Sequence, residues 1–414
     1  MQTGESVVAN YIKHIEFINI KMKRECIVLA VILLVIITGC GGRGKQSTDD
    51  LITFDVTKSY PQKELILQDF MDVEYIVLET TDDFLTQGLV LDIGKEIILV
   101  RNLISDGDIF VYDRNGKGLR KINRMGQGPE EYENLIFCRI TLDEENNELF
   151  INNTFTKRIS VYDLYGNFVR SFSRNEGANY SSLQNFDRLH LIGRETAMSL
   201  NDESTESQPF AIISKNDGSM VHDIRIRFEQ GINTMVTSSV SDFMMTVDLF
   251  ANTNTIIPFR ESWILVEYSS DTIFRLLSDL NKIPFMARSP SVHSTNPEIL
   301  FLPILFTDRY FFLETFKKEI ERVPGFFRKQ KLVYDRQENT IYNYTVVNSD
   351  YSTKKTLDFS AFNSNKTIAF WQKLEPHELI ELNKKGELKG TLKEIASKLN
   401  EEDNPVIMLV KHKQ

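Results

Sequence analysis

The sequence predicts an all-β chain folded as a six-bladed β-propeller, with four-stranded antiparallel blades and a short helical insertion near the C-terminus. Three observations carry that prediction. The first is a repeat: Ile109-Phe110-Val111-Tyr112-Asp113-Arg114-Asn115-Gly116 returns as Ile159-Ser160-Val161-Tyr162-Asp163-Leu164-Tyr165-Gly166, offset by 162 − 112 = 50 residues. Each copy is an apolar strand pattern followed by Asp-x-x-Gly, in which Asp caps its own backbone and Gly takes positive φ, so each is the middle of a β-hairpin. Hairpins recurring at about 50 residues are the pattern of propeller blades. The second is composition: 28 Phe and 14 Tyr in 414 residues suit strands, and 42% hydrophobic residues supply a large core. The third is capacity, since the chain beyond residue 39 holds 414 − 39 = 375 residues, enough for six such units with helical insertions.

The first fifty residues read as an address. Met22-Lys23-Arg24 precedes an apolar run over 26–37, which ends in Ile37-Thr38-Gly39-Cys40. A short basic region, about a dozen apolar residues and small residues before a cut site describe a secretory signal over 22–39, too short for a spanning helix. The four closing residues resemble the bacterial lipobox, which implies that Cys40 is diacylated and becomes the mature N-terminus. Residues 1–21 carry Glu5 and Glu16 ahead of the basic region and are read as a spurious extension, with the true start at Met22. Residues 40–50 form a flexible, polar, glycine-rich tether, and 51–414 the propeller. Lipoproteins that this segment resembles carry acidic residues directly after the cysteine as a surface-export signal; here acids arrive only at Asp49 and Asp50, so the resemblance implies an anchor facing the periplasm of the cell envelope.

Taken in order, 52–56 and 73–80 read as strands. One set of four strands follows at 89–93, 97–100, 109–112 and 119–122, and a second at 137–142, 148–152, 159–162 and 168–172. A third is expected at 189–192, 197–200, 210–213 and 220–224, keeping the period at 213 − 162 = 51. A fourth unit holds 263–268, 270–276 and a strand ending near Phe285. The fifth holds 310–313, 332–335 and 340–344, with 316–322 read as helical. After 367–372 the apolar spacing turns helical, and Asn404-Pro405 stops that helix before a last strand at 406–410. Because a ring of blades needs its ends tied, the early strands are expected to pair with 406–410 in one blade.

Leu78-Glu79-Thr80-Thr81-Asp82-Asp83, the loop Gly126-Gln127-Gly128-Pro129-Glu130-Glu131-Tyr132, Ser270-Asp271-Thr272-Ile273-Phe274 and Asp403-Asn404-Pro405-Val406 resemble the six-bladed β-propeller lipoproteins of gut Gram-negative bacteria, akin to NHL-repeat propellers. The likeness runs from about residue 51 to the C-terminus and implies the fold and the anchor, without an activity. Glu130 stands where that family usually has Gly.

The net charge of −10, without long like-charge blocks, excludes a nucleic-acid footprint. Cys26 and Cys40 lie near the N-terminus, leaving Cys138 alone in the body, so no disulfide framework is available there. His190, His222, His293, His377 and His412 are scattered, so no transition-metal spacing exists, and there is no Gly-x-Ser-x-Gly elbow. The motif-like element is the loop with Gly126, Gln127, Gly128, Pro129 and Tyr132. It reads either as a backbone nest for an anion or as a crossover between blades in which Tyr132 packs on the next blade. Gly128 is expected to hold a conformation that β-branched residues resist. Asp92, Asp143 and Asp187 fall on or near inner strands, where carboxylates could hold Ca2+ in a central channel. Tyr180, Phe326 and Phe327 are expected as exposed aromatics. Two functions stand: a binding module for a glycan, peptide or protein, and a calcium-dependent, lactonase-like hydrolase or lyase at the channel. Acidic and amide side chains converging in the channel from different blades would favour the second.

Overall fold

The computed structural model of the protein describes residues 51–413 apart from 104–105, 154–155, 157, 174–179, 196–205, 233–234, 241–242, 249–253, 321–326, 360–364 and 367. The expected strand at 197–200, Phe326 and the whole segment through Cys40 and the tether therefore lie outside the described residues.

The chain enters through β1 (Ile52–Asp55), β2 (Gln62–Ile66), a single helical turn α1 (Leu67–Phe70) and β3 (Met71–Val77). Blade 1 is β4 (Leu89–Ile93), β5 (Ile97–Arg101), β6 (Asp108–Asp113) and β7 (Gly118–Asn123). Blade 2 is β8 (Cys138–Asp143), β9 (Glu148–Asn153), β10 (Arg158–Asp163) and β11 (Phe168–Ser173). Blade 3 is β12 (Tyr180–Asn185), β13 (His190–Glu195), β14 (Glu206–Ser214) and β15 (Met220–Arg227). A separate hairpin, β16 (Met235–Val240) and β17 (Phe243–Asp248), precedes blade 4: β18 (Ile256–Phe259), β19 (Ser262–Leu265), β20 (Thr272–Leu276) and β21 (Lys282–Ser289). Blade 5 is β22 (Ile299–Phe306), β23 (Tyr310–Ile320), β24 (Phe327–Asp335) and β25 (Thr340–Val347), with a short β26 (Thr356–Leu357) against β25. Blade 6 contains β27 (Ile368–Leu374) and, after helices α2 (Pro376–Lys384) and α3 (Gly390–Ala396), β28 (Val406–His412). The fold is a six-bladed β-propeller, and the period read from the sequence is that of its blades.

The repeated turn works as its chemistry requires. Asp113 Oδ1 accepts from the N–H groups of Asn115 and Lys117, both at 2.8 Å, and Gly116 takes φ +85°. Asp163 does the same for Tyr165 and Asn167, and Gly166 takes φ +86°. A side chain at Gly116 would also collide with the carbonyl of Val77, so this turn is held against β3 as well.

The N-terminal strands part company. β3 pairs antiparallel with β28, from Val77↔Val406 to Met71↔His412, and this joins the two ends of the chain in blade 6. By contrast, β1 lies parallel on the outer edge of blade 4, Ile52↔Met286 to Asp55↔Ser289, and β2 lies parallel on blade 5, Gln62↔Asn343 to Ile66↔Val347. The expectation that the early strands close the ring thus holds for the second predicted strand and is corrected for the first. Asn404 locks the junction: its Oδ1 accepts from Thr86 N–H at 2.8 Å, and its Nδ2 donates to Glu79 O at 2.7 Å and Phe84 O at 2.5 Å.

Side chains alternate along each strand, so each blade feeds two seams. In β6, Ile109 and Val111 join the cluster between blades 1 and 2, while Phe110 and Tyr112 join the one between blades 6 and 1. Six apolar clusters among the described residues fill the six seams in this way, each drawing on two neighbouring blades.

Residues 316–322, read as helical, are strand as far as Ile320, because β23 is hydrogen-bonded on both sides, by β22 and β24, and that pairing overrides local spacing. β12, β18, β22 and the β16–β17 hairpin were not expected from the sequence. Pro258 sits within β18 and Pro303 within β22, a pattern that argues against a central strand. Here both belong to the first strand of a blade, which borders the channel as a sheet edge, where a missing N–H is tolerated.

Asn404→Ala should cost about 3 kcal/mol, three hydrogen bonds at roughly 1 kcal/mol each, read as a lower denaturant midpoint with an unchanged slope. Removing residues 406–414 should go further: loss of β28 exposes the edges of β27 and β3, and the product should aggregate on size exclusion. A monomeric truncation with wild-type melting would refute closure through this pair.

Candidate functional site

Strands alternate direction within a blade, so the turns that follow the first strand of each blade gather at one mouth of the channel. The side chains just inside it join blade to blade. Asp92 sits at a bulge in β4, where its Oδ2 accepts from Leu142 N–H of blade 2 at 2.9 Å and its Oδ1 from Ile93 N–H at 2.9 Å. Asn365, just before β27, donates through Nδ2 to Ile93 O at 2.6 Å. From blade 3, Asn185 Nδ2 donates to Leu142 O at 2.6 Å, and Gln184 Nε2 reaches Ile256 O of blade 4 at 2.6 Å. Thr141 Oγ1 adds a bond to Leu183 O at 2.8 Å. Blades 6, 1, 2, 3 and 4 are thereby tied in series through side chains bonded to neighbouring backbone. Burial pushes the Asp92 carboxyl up to about 6, against the backbone and amide donors that favour its charge.

At the rim, Lys366 spans from blade 6 to the far side: Nζ donates to Phe186 O at 3.1 Å and lies 4.9 Å from the ring centre of Trp263. Phe186 and Trp263 stack at 6.2 Å, and burial lowers the Lys366 pKa. The remaining acids are engaged separately. Asp143 forms a buried ion pair with Lys215 at 2.6 Å, Asp187 bonds to His190 Nδ1 at 2.9 Å, and Glu144 accepts the backbone N–H groups of Lys95, Glu96 and Ile97. Asp92, Asp143 and Asp187 thus face three different sets of partners. Among the described residues, no group of three or more His, Cys, Asp or Glu is placed to hold a metal ion. The amides Asn185, Gln184 and Asn365, central to this mouth, went unread in the sequence, since a lone carboxamide carries no spacing signal.

The loop with Gly126, Gln127, Gly128, Pro129 and Tyr132 is the crossover from blade 1 to blade 2. Tyr132 is buried in that seam, edge-on to Tyr162 at 5.6 Å, with its hydroxyl donating to Gly107 O at 2.6 Å. Burial raises its pKa well above the ordinary phenol. The loop's own carboxylate fills it: Glu131 Oε2 accepts from Gly128 N–H at 2.7 Å. Neither Gly126 nor Gly128 has positive φ, which corrects the expectation for Gly128. What these glycines supply is room, because a Cβ at Gly126 would overlap the Glu131 carboxylate and one at Gly128 would come within 3.1 Å of it. Gln127 and Pro129 are exposed. Tyr180, expected as an exposed aromatic, opens β12 and is buried in the seam between blades 2 and 3. The side chain of Phe327 is outside what the structure describes.

Residues 51–411 match the family described as Domain of unknown function (DUF4934), and the chain belongs to that family. The crystal structure of a protein from Bacteroides fragilis NCTC 9343, described as exported, is similar over 88% of this chain and 100% of that one, with a TM-score of 0.55 at 16% identity. A member of the DUF4221 family from Bacteroides vulgatus ATCC 8482 is similar over 84% and 99%, with a TM-score of 0.42 at 9% identity. No curated protein matches the chain.

A carboxyl whose folded pKa is raised stabilises the fold below its unfolded pKa, and that contribution is lost as pH rises through the folded value. With the ordinary value at 3.8 and the buried one at about 6, about 3 kcal/mol should disappear across that window, at roughly 1.4 kcal/mol per unit. Asp92→Ala should remove this part of the pH dependence in chemical denaturation from pH 4 to 7. An unchanged profile would show that Asp92 titrates normally.

Proposed function

We propose that this propeller is a lipid-anchored, extracytoplasmic binding module that recognises a glycan, peptide or protein ligand and carries out no chemistry of its own. The observation that carries this reading is the use made of the channel. Acidic and amide side chains do meet there from different blades, as the hydrolase reading expects, but Asp92, Gln184, Asn185 and Asn365 bond to neighbouring main chain and so hold the ring together. A rigid ring frees its loop faces for recognition. A calcium-dependent hydrolase would need carboxylates meeting at one point, and Asp92, Asp143 and Asp187 each serve a different partner. The address is supported by the basic, apolar and Ile37-Thr38-Gly39-Cys40 segments of the sequence, and by the description of the Bacteroides fragilis relative as exported.

Cys40→Ala should abolish acylation and leave an uncleaved or soluble exported form, since the thiol is the acylation site. Detergent-phase partitioning equal to wild type, with the signal removed, would refute the anchor. For the module itself, the mature protein in neutral detergent should show ligand-dependent thermal stabilisation without turnover. Calcium-dependent cleavage of a lactone or ester, lost on changing Asp92, would establish the enzyme instead.

A further inference from the structure

The seam between blades 1 and 2 ends, at the mouth opposite Asp92, in two arginines that each keep at least one buried donor without an acceptor. Arg101 closes β5 on the strand face that carries Ile97 and Leu99 into this seam. Arg158 opens β10 on the face that carries Tyr162 into the same seam. β5 runs away from the Asp92 mouth and β10 runs toward it, so the last residue of one and the first of the other share an end as well as a seam. Arg158 belongs to the Cys138–Asn153–Arg158 row of blade 2, whose Cys138 lies close enough to Arg101 to interact with it electrostatically.

Arg101 Nη1 donates to Asn102 O at 2.8 Å, while its Nε is buried without an acceptor, as are Nε and Nη2 of Arg158. Neither arginine forms an ion pair among the described residues. Arg139 is the positive charge that acts on Arg101. Two acids lie nearby, and both are engaged elsewhere. Asp106 acts on Arg101 but accepts from Asn102 Nδ2 at 2.6 Å and Asp108 N–H at 3.0 Å. Glu133 acts on Cys138 and accepts from Asn153 Nδ2 at 3.1 Å. Folded proteins pair buried donors almost without exception, because an unmade bond leaves the full desolvation cost. Guanidinium forks match planar or tetrahedral oxyanions and gain most where water is excluded.

We propose that this end of the blade 1–2 seam is an oxyanion subsite, in which Arg101 and Arg158 hold the carboxylate, sulfate or phosphate group of an acidic extracytoplasmic ligand. The inference rests on the binding-module reading and assigns that module a charge class. The crossover loop closes the same seam through Tyr132, and its exposed Gln127 and Pro129 offer surface to the rest of such a ligand.

The test compares glucuronate, inorganic sulfate and inorganic phosphate on the mature protein in neutral detergent, at ionic strength fixed with sodium chloride, by thermal melting and titration calorimetry. At least one anion should raise the melting temperature where chloride does not, and the one that does names the source of the charge. Arg101→Gln and Arg158→Gln should each weaken that binding at least tenfold while keeping the wild-type circular dichroism. Arg158→Lys, which keeps charge and loses the fork, should fall between. Equal responses in wild type and the Arg101→Gln, Arg158→Gln double variant, or no response to any of the three anions, would overturn the oxyanion subsite. Stabilisation of both proteins by a neutral saccharide or peptide would overturn it too, while leaving the binding-module reading standing.

Discussion

Everything in this ring depends on one seven-residue strand pairing, Met71–Val77 against Val406–His412. A propeller has no central core, only seams, and each seam is stable because two blades share it. The seam between blades 6 and 1 combines Ile76 and Leu78 from the start of the chain, Ile407 and Leu409 from its end, and Val90, Ile98 and Tyr112 from blade 1. Opening the β3–β28 pair would therefore disperse that cluster and leave two sheets with bare edges. The junction is reinforced where the chain leaves β3: Asn404 collects Glu79, Phe84 and Thr86, and Pro405 packs so closely on Gly88 that a Cβ there would meet it at 2.9 Å. A fully buried carboxamide with three short bonds specifies the register of the closing strands, because a one-residue slip would leave it unsatisfied.

The same segment that closes the ring also girdles it. On its way to blade 6 the chain lays β1 on the outer edge of blade 4 and β2 on that of blade 5, both parallel. These blades gain a fifth strand, and their outermost N–H and C=O groups gain partners. Blades 1 to 3 end in β7, β11 and β15, which place Arg120 and Lys121, Arg170, and Asp223 and Arg225 along their outer strands. Charges on an exposed edge discourage pairing with another chain. The molecule thus protects half its rim with its own N-terminal segment and half with side-chain charge.

Inside the channel, polar residues do mechanical work. Leu142 is gripped on both sides, its N–H by Asp92 of blade 1 and its C=O by Asn185 of blade 3. Such bonds are strong because the site is dry, and the same dryness disfavours the Asp92 charge. One physical condition therefore underlies both the strength of these bonds and the raised pKa of Asp92. The opposite mouth differs: at the blade 1–2 seam, Arg101 and Arg158 keep buried donors that the described chain does not satisfy.

Local chemistry was legible in the sequence. The Asp113–Gly116 and Asp163–Gly166 turns fix their hairpins by short-range bonds and positive φ, so their 50-residue spacing set the blade size, and the length of chain available to such units set their number at six. The last apolar strand and the helices before it were readable for the same reason. What only the tertiary structure decided is non-local. Residues 52–55 and 71–77 look alike as strands, yet one adds to blade 4 and the other closes blade 6, because partner choice depends on which edge stands open beside them. Strands bearing Pro258 and Pro303 became legible only once the channel made them edges, and residues 316–320 are strand because two neighbours pair with them. Asp92 could be picked from the sequence as an inner carboxylate, but the partners it has on other blades, Leu142 and Asn365, lie 50 and 273 positions away. Burial and hydrogen bonding between blades are properties of the closed ring, and no window of sequence contains them.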